Sequence, residues 1–149
     1  MKQGLVFLLI CVPCWLMAQN PTGDIVVRIS GMPSGKGVVK AALFSEAEGF
    51  PNDWSEVLQK NQVGASEDTV QIEFRKVPHG TYVVSVFHDK NMDGELNTNE
   101  KGVPTEAIGF STNPKIRFGP PKYERATFEL NEPVLRMNIE LQSYKTREE

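Results

Sequence analysis

Between residues 68 and 89 the chain alternates apolar and polar side chains through two consecutive runs, and no other feature restricts its fold as tightly. In DTVQIEFRKV (68–77), Val70, Ile72 and Phe74 alternate with Gln71, Glu73 and Arg75. In GTYVVSVFHD (80–89), Tyr82, Val84 and Val86 share a face. Successive side chains of an extended strand point to opposite sides, so period two marks half-buried antiparallel strands. Further runs of this kind are DIVVRIS (24–30), GVVKAALFS (37–45), YERATFEL (123–130) and VLRMNIELQ (134–142). The turn-rich stretches GMPSGKG, VPHG and NEP separate them. FPNDWSEVLQKN (50–61) reads as a helical turn or two, capped by Asp53 or Ser55, with Trp54, Val57 and Leu58 facing the core. Strands at this spacing without βαβ alternation predict an all-β fold. The expected architecture is a single antiparallel two-sheet sandwich of immunoglobulin-like or prealbumin-like topology. Residues 100–124 stand apart as a long loop with four prolines and three glycines, in which Ile108 and Phe110 form a short edge strand.

The first eighteen residues do not belong to that domain. Lys2, an apolar stretch from Leu5 to Met17 and the small Ala18 form a signal peptide with cleavage expected after Ala18. The apolar stretch is too short for a membrane anchor. Both cysteines, Cys11 and Cys14, fall inside it. Cys14 follows Pro13 where a lipidation site would place a small residue, so the mature chain, residues 19–149, is expected to carry neither lipid nor cysteine. It must then be held by its core, without disulfides. The formal net charge is −3, one step more acidic once Lys2 is lost. That balance offers no basic stripe for nucleic acid and no polybasic patch for a membrane. The expectation is an exported, periplasmic or extracellular, soluble monomer.

Directly after the 80–89 run comes an acidic loop, DKNMDGELNTNE (89–100). Counted from Asp89, it places Asn91 third, Asp93 fifth, Gly94 sixth, Glu95 seventh, Asn97 ninth and Glu100 twelfth, which satisfies the calcium-loop pattern of EF-hands. A calcium ion takes six to eight oxygens at roughly 2.3–2.6 Å. Short Asp and Asn side chains at alternate positions curl around one point, and Gly94 permits the sharp turn. Glu95 contributes only its carbonyl, Leu96 anchors the loop to the core, and Glu100 has the reach to close the shell. Magnesium prefers a rigid octahedron that keeps its waters. Zinc lacks ligands, since His79 and His88 are the only histidines and the mature chain has no cysteine. No flanking helices are expected, so the ion is read as a structural staple and not as a switch.

The segments GVVKAALFS, GFP, GTYVVSVFHDKNMDGELNTNEKGVPTEAIGFSTN and FGPPKYERATFEL resemble domain-of-unknown-function family 2141, exported proteins common in bacteria. The resemblance covers nearly all of the mature chain and is most specific from the acidic loop into the GFS stretch. It implies a single exported β-domain with no established activity. Asp89, Asn91, Asp93, Gly94, Leu96 and Asn97 keep the family's acidic pattern, whereas Glu100 rests on the calcium-loop spacing alone.

Other chemistry is thinly represented. GMPSGKG has three residues between Gly31 and Gly35 where a phosphate loop needs four, and a strand follows it. There is no G-x-S-x-G elbow. His88 and Asp89 are strand neighbours on opposite faces, so His88 is read as a surface residue beside the loop and His79 as a turn residue. Glu106 is read as a solvated loop carboxylate before a distal metal ligand. Phe110, Phe118 and Tyr123, near Lys115, Arg117 and Lys122, either line a ligand surface or cover the open end of the sandwich. The leading expectation is a non-catalytic, calcium-stabilised binding protein that engages a protein or glycan through residues 100–124. A structural envelope module without a ligand and a calcium-dependent hydrolase are the alternatives; a hydrolase would need a deep cleft beside Asp89 and Glu106.

Overall fold

The computed structural model describes residues 20–144 except Glu67 and Phe118, so the signal segment lies outside the described residues. Eight strands follow in order: β1 (Thr22–Ser30), β2 (Val38–Phe44), β3 (Gln59–Gly64), β4 (Thr69–Pro78), β5 (Gly80–Asp89), β6 (Ile108–Phe110), β7 (Phe128–Leu130) and β8 (Val134–Glu140). One sheet has the order β4-β1-β8; the other has the order β3-β2-β5-β6, with β7 also paired to β5. The chain is therefore the all-β, two-sheet sandwich that its alternation predicts. Among the described residues no helix is long and apolar enough to cross a membrane.

Two details refine the topology. An immunoglobulin constant-type sandwich joins its first and second strands in one sheet. Here β1 lies between β4 and β8 while β2 lies between β3 and β5, so that order is not the one formed. In addition, β1 and β8 run parallel, from Asp24 opposite Val134 to Ser30 opposite Glu140. The other strand pairings are antiparallel.

The sandwich core takes Ile25, Val27 and Ile29 from β1, Val39, Ala41 and Leu43 from β2, Ile72 and Phe74 from β4, and Val84 and Val86 from β5. The strand β5 is apolar on its other face as well. Val83 and Phe87 join Ala42, Phe44, Ile108, Phe110 and Ala126 in a second apolar layer outside the five-stranded sheet. Phe50, Trp54 and Tyr123 roof that layer, and Phe50 meets Phe44, Phe110 and Tyr123 edge-on at 5.4, 5.5 and 5.7 Å. The buried hydroxyl of Ser111 accepts the Val84 N–H at 3.0 Å and donates to the Ala126 carbonyl, which pins this cover to the sheet.

Two sequence expectations fail locally. Residues 50–61 form no helix: Asp53 closes a tight turn by accepting Ser55 N–H and Oγ–H, and pairing with β2 begins at Leu58, which is exposed. From Gln59 the chain is the edge strand β3, because the free edge of β2 offers a ladder that outweighs a weak helical preference. Residues 123–130 are a 3-10 turn at Tyr123–Arg125 followed by only three strand residues. Trp54 and Val57 do pack inward, but against the outer layer.

Candidate calcium loop and adjoining cavity

The acidic loop leaves the sheet at the last residue of β5. Asp89 is 1% exposed; its Oδ2 accepts the Gly94 N–H at 2.9 Å, and its buried Oδ1 has no hydrogen-bond partner. Asp93 lies at the centre of the side-chain contacts. Its Oδ1 accepts the Glu95 N–H at 2.9 Å, and its Oδ2 accepts the Asn91 and Asn97 amides at 2.7 and 2.8 Å. The Asn97 side chain, then the Glu95 N–H and Asn91, with a smaller Coulomb contribution from Lys40, lower the Asp93 pKa. Gly94 has φ of 89°, the left-handed turn for which the loop needs a glycine.

Among the ligand positions expected from the sequence, the side chains of Asn91, Asp93 and Asn97 touch one another, and Asp89 bonds to Gly94. Asp89, Asn91, Asp93, Glu95 and Asn97 share the loop, whereas Glu100 is exposed on the following turn, whose Lys101 and Val103 N–H groups bond to Asn99 Oδ1. Among the described residues, no three His, Cys, Asp or Glu side chains stand together.

Glu106 corrects the sequence reading. It is 9% exposed, and its two carboxylate oxygens accept Lys90 N–H at 2.9 Å and Asn97 N–H at 3.1 Å. It clamps both ends of the loop and is no solvated carboxylate. A bridge between Thr98 and Pro104 closes the far side. His88 is corrected too: it is 2% exposed, and its Nε2 lies 2.6 Å from the Lys36 carbonyl, tying the 31–37 turn to β5. Gly37 meets the same place, since a Cβ there would lie 2.3 Å from the Asp89 carbonyl oxygen. Sequence spacing also offered no hint of Lys40. Its ammonium stands 3.6 Å from Asp89 Oδ2 and donates to the Gly94 carbonyl at 3.3 Å.

The loop forms one wall of a cavity of about 520 Å³ on the outer face of the five-stranded sheet. Trp54, Phe87, Phe110, Ile108 and Leu96 supply its apolar surface, and Ser85, Thr98 and Glu95 supply polar groups. Its size and mixed lining are those of a small-molecule site. Neither Asp89 nor Glu106 lines it, so it is not the cleft beside those two carboxylates that the hydrolase alternative called for; Glu95 is the carboxylate that does line it. Phe110 and Tyr123 belong to the apolar cover, while Phe118 lies outside the described residues.

The chain belongs to the family described as an uncharacterized protein conserved in bacteria (DUF2141), whose model matches residues 27–138, from within β1 to within β8. No curated protein and no solved structure matches it.

Proposed function

We propose that the protein is an exported, non-catalytic β-sandwich that holds calcium in the 89–100 loop as a structural staple and binds a ligand or partner on the face beside it. One observation carries the calcium reading: Asp89, first of the ligand positions, is buried with Oδ1 unpartnered while Oδ2 is held by the loop's own glycine. A buried acceptor without a donor costs about 1–3 kcal/mol, more when charged. A hard dication removes that cost and suits the oxygen chemistry of the loop. Asp89, Asn91, Asp93, the Glu95 carbonyl and Asn97 would hold it. A half-turn of the Asn91 and Asn97 amides exchanges their N–H₂ groups for oxygens. Glu100 would swing in from its exposed turn to complete the shell. Lys40 opposes the ion by charge, which favours affinity at the weak, extracellular end of the calcium range, roughly 10⁻⁴–10⁻³ M.

Calorimetric and thermal titration tests this. At about 1 mM calcium and a Kd of about 0.1 mM, linkage stabilises the fold by about 1.4 kcal/mol. That raises Tm by several degrees, chelator reverses it, and magnesium does much less. Asp93→Ala abolishes the response while the chain still folds. No heat and no shift up to about 5 mM calcium would refute the staple. Lys2, the apolar 5–17 stretch and Ala18 support export. The expected intact mass from the native host begins at or near Gln19; a retained Met1 or a lipid increment on Cys14 would refute it. The cavity walled by the loop and by Trp54 supports the ligand-binding part.

A further inference from the structure

The second cavity of the cover has a different chemistry. Lys115, Arg117, Lys122 and Arg125 line one open hollow of about 740 Å³ together with Pro120 and Pro121. Four of the chain's sixteen Lys and Arg thus face one hollow of a protein whose formal net charge is −3. Among the described residues, none of the four forms an ion pair, none donates a side-chain hydrogen bond, and no carboxylate lines the hollow. Like charges lining one hollow repel one another.

The backbone at three of these cations, Lys115, Lys122 and Arg125, is nevertheless tied down. The Gln142 side chain accepts the Ile116 N–H at 3.3 Å and donates to the Pro114 carbonyl at 3.1 Å, which brackets Lys115. Arg125 N–H donates to the Lys122 carbonyl at 3.0 Å, and Thr112 Oγ1 donates to the Arg125 carbonyl at 2.8 Å. The main chain at Lys115, Lys122 and Arg125 is held by these bonds and their charged ends are left free, so a counter-charged ligand need not order those positions on binding.

We propose that this hollow binds a phosphate-bearing ligand. Guanidinium forks and ammonium groups are the donors that phosphate oxygens take, and the hollow presents two of each. A lone carboxylate would leave most of the positive charge unanswered, whereas a phosphoryl group brings up to two negative charges and three acceptor oxygens. The phosphate could belong to a soluble molecule or to a lipid headgroup. Pro120 is a wall of both this hollow and the apolar cavity beside the acidic loop. This inference gives a chemical class to the ligand-binding half of the proposed function and rests on that half alone, independently of calcium.

The test uses the full chain in chelator, so that failure of the calcium reading leaves it untouched. Pyrophosphate is titrated calorimetrically at 150 mM salt, and vesicles of phosphatidylcholine with and without phosphatidylglycerol are tested by co-sedimentation. Arg117→Gln/Arg125→Gln is expected to weaken binding roughly tenfold or more, with Tm unchanged. Lys115→Gln/Lys122→Gln should do the same by smaller steps. Lys60→Gln/Lys76→Gln removes equal charge from exposed sites on β3 and β4 and should bind as wild type. Binding of pyrophosphate alone assigns a soluble source; binding of phosphatidylglycerol vesicles alone assigns a headgroup. Loss of affinity in the Lys60/Lys76 control equal to that in the arginine pair would overturn the site in favour of diffuse Coulomb attraction. Absence of binding in both arms would overturn it outright.

Discussion

Replacing Glu106 should loosen the acidic loop whether or not calcium is present. Its carboxylate is buried and takes the Lys90 and Asn97 N–H groups at 2.9 and 3.1 Å, one on each side of the loop. Hydrogen bonds to a charged acceptor contribute about 1.5–3 kcal/mol each. Removing a buried anion also recovers part of its desolvation cost, so the lower end of that range applies. Glu106→Ala strands both donors and is expected to cost about 3 kcal/mol. Glu106→Gln keeps one acceptor but turns an N–H₂ towards the other donor, for about 2 kcal/mol. With about 4 °C per kcal/mol for a domain of this size, Tm should fall by roughly 12 and 8 °C. Melting in chelator and in calcium, with amide hydrogen exchange at Lys90 and Asn97, measures the effect. A Glu106→Ala protein melting within about 2 °C of wild type in chelator would show the clamp to be idle. A deficit seen only with calcium would make Glu106 a ligand and not a clamp.

Two further outcomes follow from local geometry. Gly37 has φ of 84°, and a Cβ there would lie 2.3 Å from the Asp89 carbonyl oxygen and 2.8 Å from Lys90 Cα. Gly37→Ala should therefore cost about 3 kcal/mol or more and weaken calcium binding, as read by melting and calorimetry; a neutral variant would refute the close approach. The side-chain and then the backbone hydrogen bond from Ser55 hold the Asp53 carboxyl below its ordinary 3.8. A lowered folded-state pKa means that this contribution is present above pH 3.8 and lost as pH falls through the lowered value. In a carboxyl NMR titration Ser55→Ala should raise the Asp53 pKa, and an unchanged value would refute the assignment.

What local periodicity can encode was legible. The alternation over 68–77 and 80–89 specifies strands because side-chain direction in an extended chain is a property of adjacent residues. The D-x-N-x-D-G spacing likewise places Asp89, Asn91, Asp93 and Asn97 around one turn, since those contacts span at most five residues. Other features depend on partners far along the chain. QKNQVG is polar and reads as no strand, yet it pairs with β2, and its Gln59 and Asn61 amides donate to the Arg75 and Glu73 carbonyls of the opposite sheet. Period two assigned one buried face to β5. Its second face is buried because Phe50, Trp54, Ile108, Phe110, Ile116, Tyr123 and Ala126 pack over it.

The site divides in the same way. Composition marks Glu106 and His88 as surface groups, because a carboxylate or imidazole is seldom buried without a partner. Their partners are backbone groups: the Lys90 and Asn97 amides for Glu106, and the Lys36 carbonyl, 52 residues away, for His88. Every residue has a backbone carbonyl, and every residue but proline a backbone N–H, so no residue type announces which ones will be used. The sequence by itself determined the β class and the oxygen-rich loop, because both arise from short-range geometry. The tertiary structure alone decided what clamps that loop and what cavity it walls, because each requires separate segments to arrive at one place, whereas Lys115, Arg117, Lys122 and Arg125 are already neighbours along the chain.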